Sequence, residues 1–157
     1  MKRIKSIDLF AGCGGLMDGF EQSGYFDTIA AVEWEKAPCK NLAIRLRDKW
    51  KYKDADRRVM RFDIQRTDEL FQGWNNDPTY DSSVGLDQLI HEADGIDVII
   101  GGPPCQAYSI AGRVRDENGM KDDYRNFLFE SYIKVLDRYK PKMFIFENVP
   151  GILSAKP

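Results

Sequence analysis

The stretch Ile4-Lys5-Ser6-Ile7-Asp8-Leu9-Phe10-Ala11-Gly12-Cys13-Gly14-Gly15-Leu16 decides the reading of the fold. Ile4, Ile7, Leu9 and Phe10 make a buried strand of its first half. Gly12, Gly14 and Gly15 then form a tight turn, and Leu16, Met17 and Phe20 recur at helical spacing up to Ser23, where Gly24 stops the helix. A strand, a glycine turn and a helix in that order open a βαβ unit.

Working outward, Thr28–Val32 reads as a second strand ending at Glu33-Trp34. Pro38 fits the first turn of a half-exposed helix carrying Leu42, Ile44 and Leu46. Lys49–Arg58 is mostly charged and reads as a solvated stretch. Val59–Phe62 reads as a short strand ending at Asp63. Gly73–Gly85, rich in Asn, Asp and Ser, reads as a loop or insertion. Asp97–Ile100 is a strand closed by Gly101-Gly102-Pro103-Pro104. Asn126–Tyr139 is a helix with a broad apolar face, and Lys142–Phe146 is a strand ending at Glu147-Asn148. Strands alternating with helices predict an α/β fold with a mainly parallel sheet, whose ligands sit outside the carboxyl ends of the strands. Gly12–Gly15, Glu33, Asp63, Cys105 and Glu147 all fall at such ends.

The 157 residues suit one domain. Their 43% hydrophobic and 31% charged content is globular, which excludes a disordered or collagen-like chain. No apolar run approaches the ~18–20 residues of a membrane span, and the basic start lacks the apolar stretch of a secretion signal. The three cysteines, Cys13, Cys39 and Cys105, form no CxxC pair, so neither a disulfide scaffold nor a zinc module is predicted, and no metal. Cys13 and Cys39 are expected to be buried structural cysteines. A net charge of -2 gives no basic footprint, so any case for nucleic acid rests on chemistry at a site.

That chemistry begins at the glycine turn. Gly12-Cys13-Gly14 starts a dinucleotide fingerprint, but Met17 stands where its last glycine belongs, which weakens a nicotinamide or flavin reading. Glu33 follows Gly12 by roughly 20 residues, where a carboxylate can accept from both hydroxyls of a ribose. Trp34 can lie on an adenine and Asp63 can accept from its amino group, which together suit an adenosyl pocket without a pyrophosphate. The alternative is a plain tight turn beside a surface glutamate. Cys105 is mounted behind Pro103 and Pro104, a rigid placement that suits a nucleophilic thiol. Glu147, at the end of the neighbouring strand and expected among apolar neighbours, can act as an acid near neutral pH. Each alone has a plainer reading, a structural thiol and a loop-capping carboxylate.

Three segments, Asp8–Gly15, Gly102-Pro103-Pro104-Cys105-Gln106-Ala107-Tyr108-Ser109 and Glu147-Asn148-Val149, with the pair Glu33-Trp34, closely resemble the DNA (cytosine-5)-methyltransferases and stand in the family's order. The resemblance implies a Rossmann-like methyltransferase fold that uses S-adenosylmethionine. It assigns Phe10, Gly12, Cys13, Gly15, Glu33, Trp34, Asp63, Ile64, Gly102, Pro104 and Leu128 to the cofactor, and Cys105 and Glu147 to catalysis. It assigns Gln106, Ser109, Arg113 and Arg115 to a DNA-contacting loop, and Pro103 and Asn148 to structural support. It implies double-stranded DNA as partner, a flipped cytosine as substrate, a restriction-modification setting and a bacterial cytoplasm, with no membrane.

The sequence reaches Pro157 without the family's Gln-x-Arg-x-Arg motif, target-recognition region or closing helix. Residues 1–157 are therefore expected to be the amino-terminal portion of the catalytic domain, about five strands with an open edge beyond the strand ending at Glu147. Such a chain is expected to be inactive alone, with a second chain able to carry the missing segments. The alternatives are a tRNA cytosine-5 methyltransferase, a non-catalytic methyltransferase-like partner subunit and a nicotinamide oxidoreductase.

Overall fold

The computed structural model of the chain describes residues 2–104 and 128–150. Its centre is β1 (Ile4–Leu9), whose Ile7 and Leu9 are fully buried. The chain turns through the glycines into α1 (Gly15–Gln22) and returns as β2 (Phe26–Glu33), parallel to β1. Helix α2 (Lys36–Ile44) follows, continued by a π-helical turn over Arg45–Lys49. A short α3 (Ala55–Arg58) leads into β3 (Val59–Arg61) at the edge of the sheet.

Helix α4 (Thr67–Gln72), the antiparallel hairpin of β4 (Gly73–Asp77) and β5 (Asp81–Val84), and α5 (Leu86–Glu92) come next. The chain then crosses back to β6 (Val98–Gly101) on the other side of β1, and α6 (Leu128–Tyr139) leads to β7 (Met143–Phe146). The strand order is β3-β2-β1-β6-β7, all parallel. Neighbouring β1 and β6 leave for opposite halves of the sheet, so a crevice opens beyond their carboxyl ends.

Tight packing sets several side chains. A Cβ on Gly101 would lie 2.5 Å from the Leu9 carbonyl oxygen and 2.9 Å from the Tyr132 ring, so only glycine lets α6 settle against β6. The Tyr132 hydroxyl lies 3.2 Å from the Ile99 carbonyl and 3.0 Å from that of Ile145, tying β6 to β7. Among the described residues β7 is an edge strand, and its Met143 and Phe144 are exposed.

Two expectations need correction. Gly73–Gly85 is a hairpin, not a loop, because Trp74 buries itself on Phe62 and draws the polar strand residues into a ladder. Lys49–Arg58 is not simply solvated. Its Lys49 ammonium and Trp50 indole donate to Asp18 at 2.8 Å, and its Tyr52 hydroxyl donates to buried Glu21 at 2.8 Å. The segment thus clamps α1, and Glu21 also accepts from Arg3 and from the backbone and hydroxyl of Thr28. These long-range pairs satisfy a carboxylate that would be costly to bury unpaired.

Candidate functional site

At the carboxyl ends of β1, β2, β3 and β6 lies a half-open cleft of about 620 Å³ including its mouth. Its wall is formed by Phe10, Val32, Glu33, Trp34, Phe62, Asp63, Ile64, Gly102, Pro104 and Leu128. A mostly apolar wall with a few polar groups is the character of a small-molecule site.

The turn after β1 is built from backbone conformations that ordinary residues avoid. Gly12 and Gly14 have φ of 54° and 80°, and a Cβ on Gly14 would sit 2.4 Å from the Leu42 side chain. Phe10 also takes a left-handed φ, 59°, although it is not glycine, and its ring lines the cleft.

Glu33 is the best-fixed polar group of the cleft. One carboxylate oxygen accepts the Gly12 N–H at 2.9 Å and the other the Glu35 N–H at 2.8 Å. A carboxylate offers about four acceptor positions, so each oxygen retains capacity for one further donor. Two hydroxyls on adjacent carbons fit that capacity. Half-exposed Trp34 follows it, at 46% exposure, and offers a flat apolar face at the rim. Asp63 accepts the Gln65 N–H through one oxygen at 2.9 Å. The residues present therefore suit a ribonucleoside whose base has a flat face and a hydrogen-bond donor on its edge.

Asp8, buried in β1 ahead of the glycine turn, carries a strongly shifted carboxyl. Burial raises its carboxyl from 3.8 to about 7; the Met17 N–H bond opposes the rise and the Glu33 charge adds to it. Buried Cys39, whose thiol lies 3.4 Å from the Glu33 carbonyl oxygen, is pushed up to about 12 by burial, which makes it inert.

On the β6–β7 side, Glu147 continues β7 by donating its N–H to the Gly101 carbonyl at 2.9 Å. Its side chain lies over Gly102, where a Cβ would come within 2.7 Å of Oε2. Asn148 donates to the Pro103 carbonyl at 3.2 Å and accepts the Val149 N–H at 2.8 Å, joining the two strand-end segments.

The structure therefore gathers Phe10, Glu33, Trp34, Asp63, Ile64, Gly102, Pro104 and Leu128 around one cleft, with Glu147 against its Gly102 wall. Gly12 reaches it through its bond to Glu33, whereas Cys13 and Gly15 do not line it. Cys13 is exposed beside Asn41, which corrects the expectation that it is buried. The left-handed backbone at Gly12 and Gly14 on either side turns this residue outward. Glu147 is likewise exposed, not buried, next to a β7 that is an edge strand among the described residues. Val32 and Phe62 escaped the sequence reading, although both immediately precede a predicted site residue. Cys105, Gln106, Ser109, Arg113 and Arg115 lie outside the described residues. Among the described residues no cluster of His, Cys, Asp or Glu could hold a metal ion, and no helix is long and apolar enough to cross a membrane.

Comparison with known proteins agrees with the motifs. The family model for C-5 cytosine-specific DNA methylase matches residues 4–157. A type II methyltransferase of Bacillus paralicheniformis is 39% identical over 96% of this chain and 41% of its own length. One from Xanthomonas oryzae is 36% identical over 99% of this chain and 30% of its own. The chain thus spans well under half the length of these relatives. In fold it matches a DNMT2 variant of Spodoptera frugiperda, with a TM-score of 0.55 at 22% identity, covering 98% of this chain and 38% of that one. The S. pombe Dnmt2 methyltransferase matches with a TM-score of 0.56 at 17% identity, over 99% and 37%.

Proposed function

This chain belongs to the C-5 cytosine-specific DNA methylase family, and from that premise we propose that it is the amino-terminal, cofactor-binding portion of a DNA (cytosine-5)-methyltransferase. The fold is the Rossmann-like methyltransferase fold, with a five-stranded parallel sheet. The observation that carries the proposal is that Glu147 lies against Gly102, a wall residue of the same cleft in which Glu33 keeps both oxygens ready for a ribose.

S-adenosylmethionine, when bound, supplies an electrophilic methyl group. Glu33 would accept from its ribose hydroxyls, Trp34 and Ile64 would flank the adenine, and Asp63 would accept from the adenine amino group. Phe10, Gly102, Pro104 and Leu128 would exclude water around it, and the turn of Gly12, Cys13 and Gly15 would approach it with the backbone.

Cytosine C5 is too poor a nucleophile to take a methyl group unaided. The thiolate of Cys105 would add to C6, forming a C–S bond and moving an electron pair toward C5. Glu147 would hydrogen-bond the N3–N4 edge and favour protonation at N3. After C5 has taken the methyl group, loss of the C5 proton expels the thiolate and restores the ring. Covalent addition divides one hard step into easier ones. The base must leave the duplex to be reached, at a cost of a few kcal/mol, and Gln106, Ser109, Arg113 and Arg115 would meet the DNA as it does.

The chain covers 41% and 30% of the two bacterial relatives, so turnover is assigned to the enzyme that contains these residues together with the remaining family segments, on the same polypeptide or a second one. The 157 residues alone should not turn over. The bacterial type II methyltransferases among the relatives favour DNA over tRNA as substrate and a bacterial cytoplasm as the setting.

The test is trapping. In the full-length enzyme, DNA containing 5-fluorocytosine should become covalently attached in the presence of S-adenosylmethionine. Cys105→Ser should abolish attachment and turnover while leaving cofactor binding near normal. Retained turnover in that variant, or methylation of tRNA in preference to DNA when the two compete, would overturn the assignment.

A further inference from the structure

The wall of the cleft formed by Phe62, Asp63 and Ile64 has little support from the sheet, although its own turn is closed by the Arg66 N–H on the Asp63 carbonyl at 3.1 Å. Strand β3, which precedes it, is three residues long and lies at the edge of the sheet, paired only with β2 among the described residues. Beyond Arg61 a single backbone bond continues the pairing, from the Phe62 N–H to the Glu33 carbonyl at 3.0 Å. Something other than the ladder must fix the wall.

The β4–β5 hairpin supplies it. The Trp74 indole lies nearly parallel to the Phe62 ring, with centroids 3.8 Å apart and planes at 21°. Tyr80 meets the same ring edge-on at 5.1 Å, and the Arg66 guanidinium lies 4.7 Å from its centre. The hairpin is in turn locked. Trp74 Nε1 donates to the Tyr80 carbonyl at 3.2 Å, Asp77 accepts the Thr79 and Tyr80 N–H groups, and Arg66 bonds Asp77 at 2.7 Å. At its base the backbone packs so closely on the end of α4 that a Cβ on Gly85 would lie 2.0 Å from the Phe71 carbonyl oxygen, so only glycine fits there.

We propose that this hairpin is a positioning element for the nucleobase end of the cleft, with Trp74 as the positioning residue that holds Phe62 and, through it, Asp63 and Ile64. The proposal rests on reading the cleft as an adenosyl site. Trp74 does not line the cleft, so its effect on a ligand passes through the wall. A stacked aromatic pair contributes up to about tenfold in an equilibrium. That factor should fall on binding of the base and not on the amino-acid end of the cofactor.

The chain and its Trp74→Ala, Trp74→Leu, Trp74→Phe and Leu89→Ala variants are compared by calorimetric titration with S-adenosylhomocysteine and with 5′-methylthioadenosine, which lacks the amino-acid end. Melting temperatures are recorded alongside. Trp74→Ala and Trp74→Leu should weaken both ligands by the same factor, about tenfold. Trp74→Phe, which keeps a flat ring, should restore most of the affinity. Leu89→Ala, which opens the core under α5 at a residue that does not line the cleft, should lower the melting temperature without changing affinity below it. If Ala does not fold, Leu gives the same reading.

Unchanged affinity in the Trp74 variants, or an equal loss in Leu89→Ala, would overturn the positioning role. Absence of binding by the unaltered chain would instead overturn the adenosyl reading, and the inference with it.

Discussion

Glu147 and Gly102 are in contact across the β6–β7 edge, so closely that a methyl group on residue 102 would come within 2.7 Å of the glutamate's Oε2 and 3.6 Å of its Cβ. The carboxylate is the far end of a flexible side chain and can give way, whereas the two backbones cannot. Gly102→Ala should therefore leave the melting temperature within a few degrees while swinging the carboxylate off the cleft wall. In the full-length enzyme it should lower kcat by about tenfold or more, whatever the added methyl group on the cleft wall does to cofactor KM. Steady-state kinetics at varied cofactor would check this; a raised KM with unchanged kcat would mean that Glu147 does not act from this position.

Glu33→Gln removes the charge but retains one acceptor oxygen. The other end becomes an amide NH2 facing either the Gly12 or the Glu35 N–H, a repulsive pairing. A charged hydrogen bond contributes about 1.5–3 kcal/mol, so cofactor affinity should fall by roughly tenfold to a hundredfold. Glu33→Ala should fall at least as far. Calorimetry with S-adenosylhomocysteine reads both, and affinity within threefold of the unaltered chain would remove Glu33 from the ribose.

Asp8 gives the fold a pH dependence. Its folded value, about 7, lies above its ordinary 3.8 because burial disfavours the charge. The stability it contributes is fully present below its unfolded value and is lost as pH rises through about 7. Asp8→Asn imitates the protonated form and can still accept the Met17 N–H. Its melting temperature should match that of the unaltered chain in acid and exceed it progressively toward pH 8, by the equivalent of about 2–4 kcal/mol. Parallel melting curves across that range would show that Asp8 ionises freely in the folded chain.

The elements that were legible before the structure are those with strong local periodicity. β1, the glycine turn, α1 and β6 combine apolar runs with glycine stops, so their neighbours in sequence decide them. The hairpin was not legible because Asn75, Asn76, Asp77, Ser82 and Ser83 have poor strand propensity, and what draws them into a ladder is the burial of Trp74 on a distant ring. The charged run before β3 misled for the same reason. Lys49 and Trp50 find Asp18, and Tyr52 finds Glu21, across 31 or 32 residues, a pairing that no window of sequence reveals.

The cleft was legible to the extent that its chemistry sits at strand ends. Glu33, Asp63 and Gly102 each follow an apolar run, and the topology brings those ends together. Phe62 and Val32 were absorbed into their strands and passed over as core. The exposure of Cys13 follows from left-handed backbone at Gly12 and Gly14, which residue type alone does not specify.

Phe10 bends the backbone where a bulky residue resists it, and such a residue at positive φ costs on the order of 1–3 kcal/mol. Two selections therefore pull this position apart. Breeding the protein for heat tolerance alone should drift residue 10 toward asparagine or glycine, which accept the bend, whereas breeding for ligand retention should keep the ring. A lineage in which the cleft no longer holds a ligand would be expected to lose this phenylalanine early.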